Sequence, residues 1–210
     1  MSETLEDLGR NGFKIIQPST GFRFGMDSVL LADFARVRRG DRVADLCAGC
    51  AAISLMIAAR EERCLIEAVE IDEYMARLAL KNVEINRLEN RMTVSNMDVR
   101  DYAASRRGAF SLVVCNPPYF DGDGSAAKHL TRLTLEDLAR AASALLPERG
   151  RGCFVFPAAR LMELTRHLQD ARLEPKKIRC VQHSPDKLPK IILIEAIKNA
   201  SPGLTWLPAL

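Results

Sequence analysis

From Arg42 onward the chain alternates short apolar runs with longer stretches whose apolar residues recur at helical spacing. Arg42–Cys47 reads as a strand ending in a small-residue loop, and Ile53–Arg60 as an Ala- and Leu-rich helix. Leu65–Glu70 returns to strand character, and Glu73–Leu88 carries Leu78, Val83 and Ile85 at helical spacing. Met92–Met97 and Ser111–Cys115 are two further strands, with a short helix expected between Asp98 and Gly108. Thr134-Leu-Glu-Asp137 has the form of a capping box, opening a helix to about Leu146. Pro147–Gly152 breaks that helix; a strand at Gly152–Phe156, a helix from Ala158 to about Ala171 and strands near Ile178–Gln182 and Lys190–Lys198 follow.

This alternation predicts parallel strands joined by crossover helices, an α/β doubly wound, Rossmann-like sheet. The last two strands lack a helix between them and are expected to pair antiparallel. Residues 1–40 stand apart as a lid: a hairpin of Lys14–Ile16 with Phe22–Phe24 around Pro18–Gly21, then a helix from an Asp27 N-cap through Arg36. The main domain is placed at 41–200 and a tail at 201–210.

Composition is that of an ordinary globular protein, with 210 residues, 48% hydrophobic and 27% charged. No apolar run approaches the roughly 18 residues of a membrane span, and the acidic start Met1–Asp7 is unlike a signal peptide, so a cytoplasmic location is expected. The six cysteines are read as reduced thiols, with Cys47, Cys64, Cys115 and Cys153 in apolar segments. Cys47-Ala-Gly-Cys50 matches C-x-x-C, but no second Cys/His pair stands at ligand spacing, and no metal is expected.

In open α/β sheets the ligand sits beyond the carboxyl ends of the strands. The loop after the first sheet strand, Asp45-Leu-Cys-Ala-Gly-Cys-Ala51, is small enough for close approach through Cys47, Ala48 and Gly49. Its single glycine is too few for a pyrophosphate fingerprint and suits a cofactor without phosphates, S-adenosylmethionine. Glu70, about twenty residues on, stands where an acid accepts ribose hydroxyls, beside Ile71. Asp98, beside Val99, ends the third strand as an acceptor for an adenine amino group; Asp101 is read as a helix cap.

The fourth strand runs into Asn116-Pro117-Pro118-Tyr119. The Asn116 side-chain oxygen and the Pro117 carbonyl can each accept a hydrogen of a planar amino group. That drives its nitrogen toward tetrahedral geometry and aims the lone pair at an electrophilic methyl, a task of orientation and electrostatics. The prolines leave carbonyls free because they lack N–H donors, and Tyr119 offers a flat face for a base or amide. Asn116 is also expected to adjoin the cofactor.

These motifs resemble those of class I N6-adenine methyltransferases. The leader Gly21-Phe-Arg-Phe-Gly-Met-Asp-Ser-Val-Leu-Leu31 and the segment Leu173-Glu-Pro-Lys-Lys-Ile-Arg179 are similar to the bacterial tRNA1(Val) adenine-37 N6-methyltransferase family, over nearly the whole chain. The resemblance implies a seven-stranded sheet, an anticodon-loop adenine as substrate, flipping of that base into the pocket, and a leader closing over the cofactor near Phe24–Asp27. Two positions depart from the family: Ala51 replaces a customary glycine, and Lys128-His129-Leu130 has Leu where an acid is common.

Net charge is +3, and residues 151–200 alone carry +5 from ten Lys/Arg against five acids. With RNA as the partner, Arg172–Lys190 becomes a candidate phosphate-binding face, with Arg36, Arg38 and Arg39 contributing. The same tetrapeptide also suits a guanine amine of rRNA or a glutamine amide of a protein, and a cofactor-binding module with weak activity is a third reading. Oligomeric state is not legible in the sequence.

Overall fold

A computed structural model describes residues 2–21, 23–118, 133–184 and 186–210. Tyr119, the Lys128–Leu130 segment and Phe22 lie outside the described residues.

The elements are β1 (Glu3–Asp7), β2 (Lys14–Pro18), α1 (Met26–Phe34), β3 (Arg42–Leu46), α2 (Ala52–Arg60), β4 (Leu65–Glu70), α3 (Glu73–Ile85), β5 (Met92–Asn96), α4 (Val99–Ser105), β6 (Leu112–Cys115), α5 (Leu135–Leu145), β7 (Arg151–Pro157), α6 (Leu161–Asp170), β8 (Leu173–Val181), β9 (Ile191–Lys198) and β10 (Thr205–Trp206). The main sheet has the order β10-β8-β9-β7-β6-β3-β4-β5. Its centre is parallel, and β9 runs antiparallel to both β7 and β8. Helices cover both faces, which is why the central strands read as continuous apolar runs.

Alternate residues of each strand feed two cores. Val43, Ile66, Leu112, Val114, Cys153 and Val155 pack with α1, α2 and α3. Ala44, Leu46, Val69, Val113, Phe154 and Phe156 pack with α4, α5 and α6 on the other face. At the amino edge of the sheet a buried ion pair, Arg151 to Asp41 at 2.8 Å, ties the start of β7 to the entrance of β3. The capping box forms as expected, Asp137 N–H donating to Thr134 and Thr134 N–H to Asp137.

Three expectations change. Seven strands form the sheet, and an eighth, β10, adds to it: the tail continues beside β8, with Leu207 N–H on the Ile178 carbonyl and Leu210 N–H on the Cys180 carbonyl. The hairpin pairs β1 with β2, not Lys14–Ile16 with Phe22–Phe24. Its turn is set by Gly9, Asn11 and Gly12 at positive φ, the Asn-Gly pair being a strong local hairpin signal. Finally, α1 begins after Gly25, with Asp27 inside its first turn rather than at the cap, and it ends at Phe34.

Candidate active site

The strands β3, β4, β5 and β6 are parallel, so the segments that follow them leave the sheet at one edge. That edge gathers Asp45, the 47–51 loop, Glu70, Asp98 and Asn116.

The loop after β3 turns sharply because Cys47, Gly49 and Ala51 all take left-handed backbone angles, with φ of 57°, 57° and 66°. Ala51 carries a Cβ at this left-handed position, a conformational strain of about 1–2 kcal/mol. The turn is closed by Ala48 N–H on the Val69 carbonyl and Ala51 N–H on the Ala48 carbonyl. Asp45 is fully buried and anchors the first turn of α2: one carboxylate oxygen accepts from both the Ser54 N–H and its hydroxyl, at 3.1 and 2.7 Å. Its other oxygen, Oδ1, is buried without a hydrogen-bond partner. Burial, only partly countered by Ser54, pushes the Asp45 carboxyl up to about 7.

Glu70 sits at the end of β4, accepting Gly49 N–H at 2.7 Å and Asp72 N–H at 2.9 Å. Burial raises its pKa above the ordinary glutamate value. Asn96 at the end of β5 donates to the Glu70 and Ile71 carbonyls, fixing the loop that holds Ile71. Asp98 caps α4, accepting Arg100 N–H at 2.8 Å, and its carboxylate pairs with the Arg100 guanidinium at 2.6 Å. The cap therefore belongs to Asp98, and Asp101 lies in the helix's first turn. Val99 is buried behind it.

Asn116 follows β6, half-buried, with Pro117 buried and Pro118 exposed. Its Nδ2 donates to the Ser28 hydroxyl at 3.1 Å, a contact with α1 across 88 residues of chain. Sequence reasoning missed Ser28, Asn82 and Asn96. Asn82, wholly buried in α3, donates to the carbonyls of Ile16 and Cys50 and accepts Ile16 N–H, bridging the hairpin to the loop after β3. A polar residue at a position in register with the apolar face of α3 was the available signal.

All six cysteines are unpaired thiols. Cys50, not Cys47, is the buried member of the C-x-x-C pair, and the Cys115 thiol is pushed up by burial and by its contact with Cys47. Among the described residues no group of three or more His, Cys, Asp or Glu could hold a metal, and no helix is long and apolar enough to cross a membrane.

The sequence profile of the methyltransferase small domain family matches residues 23–172. A tRNA1(Val) (adenine(37)-N6)-methyltransferase of Parabacteroides distasonis is 30% identical over 190 residues, 87% of this chain and 80% of that protein. The enzyme of that name from Erwinia tasmaniensis is 36% identical over 76% of this chain and 70% of its own length. For that from Haemophilus influenzae the values are 34%, 69% and 66%, so this chain spans about two thirds of that relative. Among solved structures, a predicted O-methyltransferase of Agrobacterium tumefaciens superposes with a TM-score of 0.75 at 27% identity, covering 88% of this chain and 86% of that one. The Pyrococcus horikoshii protein TYW2 superposes at 0.67 with 17% identity, covering 94% and 72%, a likeness of fold. The chain belongs to the methyltransferase small domain family, an S-adenosylmethionine-dependent enzyme grouping with the tRNA1(Val) (adenine(37)-N6)-methyltransferases.

Proposed function

We propose that this protein methylates the exocyclic N6 amine of an adenine in the anticodon loop of a tRNA, in the cytoplasm. The observation that carries the reading is the placement of Asn116 and Pro117 at the same sheet edge as Asp45 and Glu70. The names of the relatives support the substrate.

S-adenosylmethionine supplies an electrophilic sulfonium methyl. The pocket's residues fit such a group: the unpartnered Oδ1 of Asp45 is a buried acceptor awaiting a donor, and the Glu70 carboxylate has lone pairs left for ribose hydroxyls beyond its two backbone bonds. Cys47, Ala48, Gly49, Ile71 and Val99 line the approach. Asp98 would share its carboxylate between Arg100 and the cofactor's adenine. On the substrate side, Asn116 Oδ1 and the Pro117 carbonyl accept the two hydrogens of the amine, Tyr119 stacks on the base, and the residues orient the lone pair rather than remove a proton first. The nitrogen's proton leaves to solvent after transfer. Residues 1–40 serve as a lid on a domain of residues 41–200, with 201–210 as its tail.

Asn116→Ala should abolish methyl transfer, lowering kcat by about a hundredfold or more as loss of a transition-state acceptor does, while cofactor affinity by calorimetry persists. Equal loss of both makes Asn116 structural. Incubation with labelled cofactor and total tRNA, rRNA and protein from a strain lacking the gene should place label in N6-methyladenosine of tRNA; label in glutamine or methylguanosine instead would overturn the substrate.

A further inference from the structure

We propose that the surface between β8 and β9 holds a second binding site, for one unstacked RNA nucleotide next to the one being methylated. The base of that nucleotide lies against Leu188 and His183, and its phosphate meets Lys187 and Lys190. This site rests on the tRNA substrate proposed above.

Asn116 is half-buried and Pro117 buried, so an amine held inside a base stack cannot reach them. The target base has to leave its stack, and its neighbours lose a stacking partner as it goes. Protein surface that replaces this partner stabilises the opened strand.

The sheet raises such a surface beside Asn116. Cys115, the last residue of β6, pairs with Phe154 of β7, which pairs with Ile194 of β9. Three more residue pairs follow, as far as Pro157 and Ile191, so β7 and β9 run on about 10 Å past the level of Cys115. Laterally, β9 is two strands from β6, an offset of about 10 Å. The 182–190 segment tops this wall. There His183, Asp186, Lys187, Leu188 and Lys190 line an open concavity of about 480 Å³, in the size range of small-ligand sites.

Leu188 is 88% exposed, the most exposed large apolar side chain among the described residues. A lone exposed leucine carries little meaning, but this one is held in place. Pro189 after it restricts Leu188 to extended backbone. Gln182 Nε2 donates to the Lys187 carbonyl at 2.7 Å, and Lys187 N–H to that of Ser184 at 3.0 Å. Lys190 N–H bonds the Val181 carbonyl, and Ala158 N–H bonds that of Lys190, tying the segment to the end of β7. The leucine is therefore presented on an ordered support, which lowers the entropy cost of binding against it.

Its neighbours supply the rest of a nucleotide's recognition. His183 offers a ring face for a base. Lys187 and Lys190 are exposed, and Lys187 reaches Asp186 only at 3.9 Å, so its ammonium stays open to a phosphate oxygen. Asp186, bonded to the Ser184 hydroxyl at 2.5 Å, keeps lone pairs for an N–H of the base. One apolar side chain flanked by cations matches a nucleotide, which joins a flat base to an anion. A protein partner needs a far larger contact, roughly 800 Å² on each side.

The test uses a synthetic tRNA1(Val) anticodon stem-loop, intact or with the nucleotide on either side of adenine(37) made abasic. Leu188→Ala should weaken binding of the intact stem-loop about five- to tenfold, the low end of the cost of losing one stacked base. Its salt dependence should keep the wild-type slope, because no charge changes. The cofactor Kd, kcat at saturating RNA and the unfolding midpoint should stay at wild-type values. Leu188→Tyr should bind at least as tightly as wild type, since a ring stacks better than a leucine. One of the two abasic positions should weaken wild-type binding by a similar factor, and on that stem-loop Leu188→Ala should cost under about twofold. Wild-type affinity in Leu188→Ala, an altered salt slope, or the same loss on all three stem-loops would each overturn the site while leaving the substrate standing. Wild-type protein that methylates no adenine in tRNA would overturn the substrate, and the site with it.

Discussion

Asp45 shows how one carboxylate can be read correctly for its place and still carry an unforeseen charge state. Its position at the end of β3 is legible from the sequence, but full burial with one unpartnered oxygen is not, because that depends on how α2 docks. Its carboxyl is raised from 3.8 to about 7 by burial. The folded protein therefore holds a proton that the unfolded chain has already released. The stability from this proton is complete below about pH 4 and is gone once pH passes about 7. Glu70, raised for the same cause, acts in the same direction. Asp45→Asn removes the titration, so chemical denaturation between pH 5 and 8 should show a dependence flatter than wild type by about 3 kcal/mol. An unaltered slope would mean that Asp45 is ionised throughout that range. Asp98 and Asp101 give the complementary lesson. Both stand near a helix start, and only the geometry shows that Asp98 takes the cap.

At the scale of elements, the parallel strands were readable because burial on both faces makes them apolar throughout. Strand β1 was not, since Glu3-Thr-Leu-Glu-Asp7 alternates polar and half-exposed positions and resembles a loop. The hairpin also finds its neighbour in an unexpected way. Asn82 on α3 and Asn86 at its C-cap, four residues apart, hydrogen-bond the backbones of Ile16 and Lys14 as a further strand would. Asn82 does this in full burial and also satisfies the Cys50 carbonyl in the loop after β3. Asn82→Ala strands the Ile16 N–H and carbonyl together with that of Cys50. It should cost about 2–4 kcal/mol, lowering the unfolding midpoint by several degrees, and should weaken cofactor binding. Asn86→Ala removes more exposed bonds and should cost under about 1 kcal/mol with cofactor affinity intact. Calorimetry of both variants checks this; equal effects would show that burial and the Cys50 contact do not matter.

The whole molecule sorts its basic residues in a way that sequence order hides. Because β8 runs parallel to β7 and β6, the 182–190 segment leaves the sheet at the edge where Asn116 stands. Lys187 and Lys190 are exposed there. Arg36, Arg38 and Arg39 precede β3 and lie at the opposite edge, as does Arg172 before β8. Other cations of the +5 stretch are consumed internally: Lys177 pairs with buried Glu195 at 2.6 Å, Lys198 donates to the Ser143 and Leu146 carbonyls, and Arg151 pairs with Asp41. With the proposed substrate, an anticodon base flipped toward Asn116 would place its flanking phosphates at that one edge, so contacts there should dominate the electrostatic part of binding. Lys187→Glu with Lys190→Glu should weaken tRNA binding about tenfold or more near physiological salt, and reduce the slope of log affinity against log salt by about two. Arg38→Glu with Arg39→Glu makes the same change of net charge at the far edge and should leave affinity within about threefold. Methyl transfer at saturating tRNA should be unaffected by either pair, since neither touches the pocket. Equal losses from the two pairs would mean that overall charge, not the edge beside Asn116, governs the encounter.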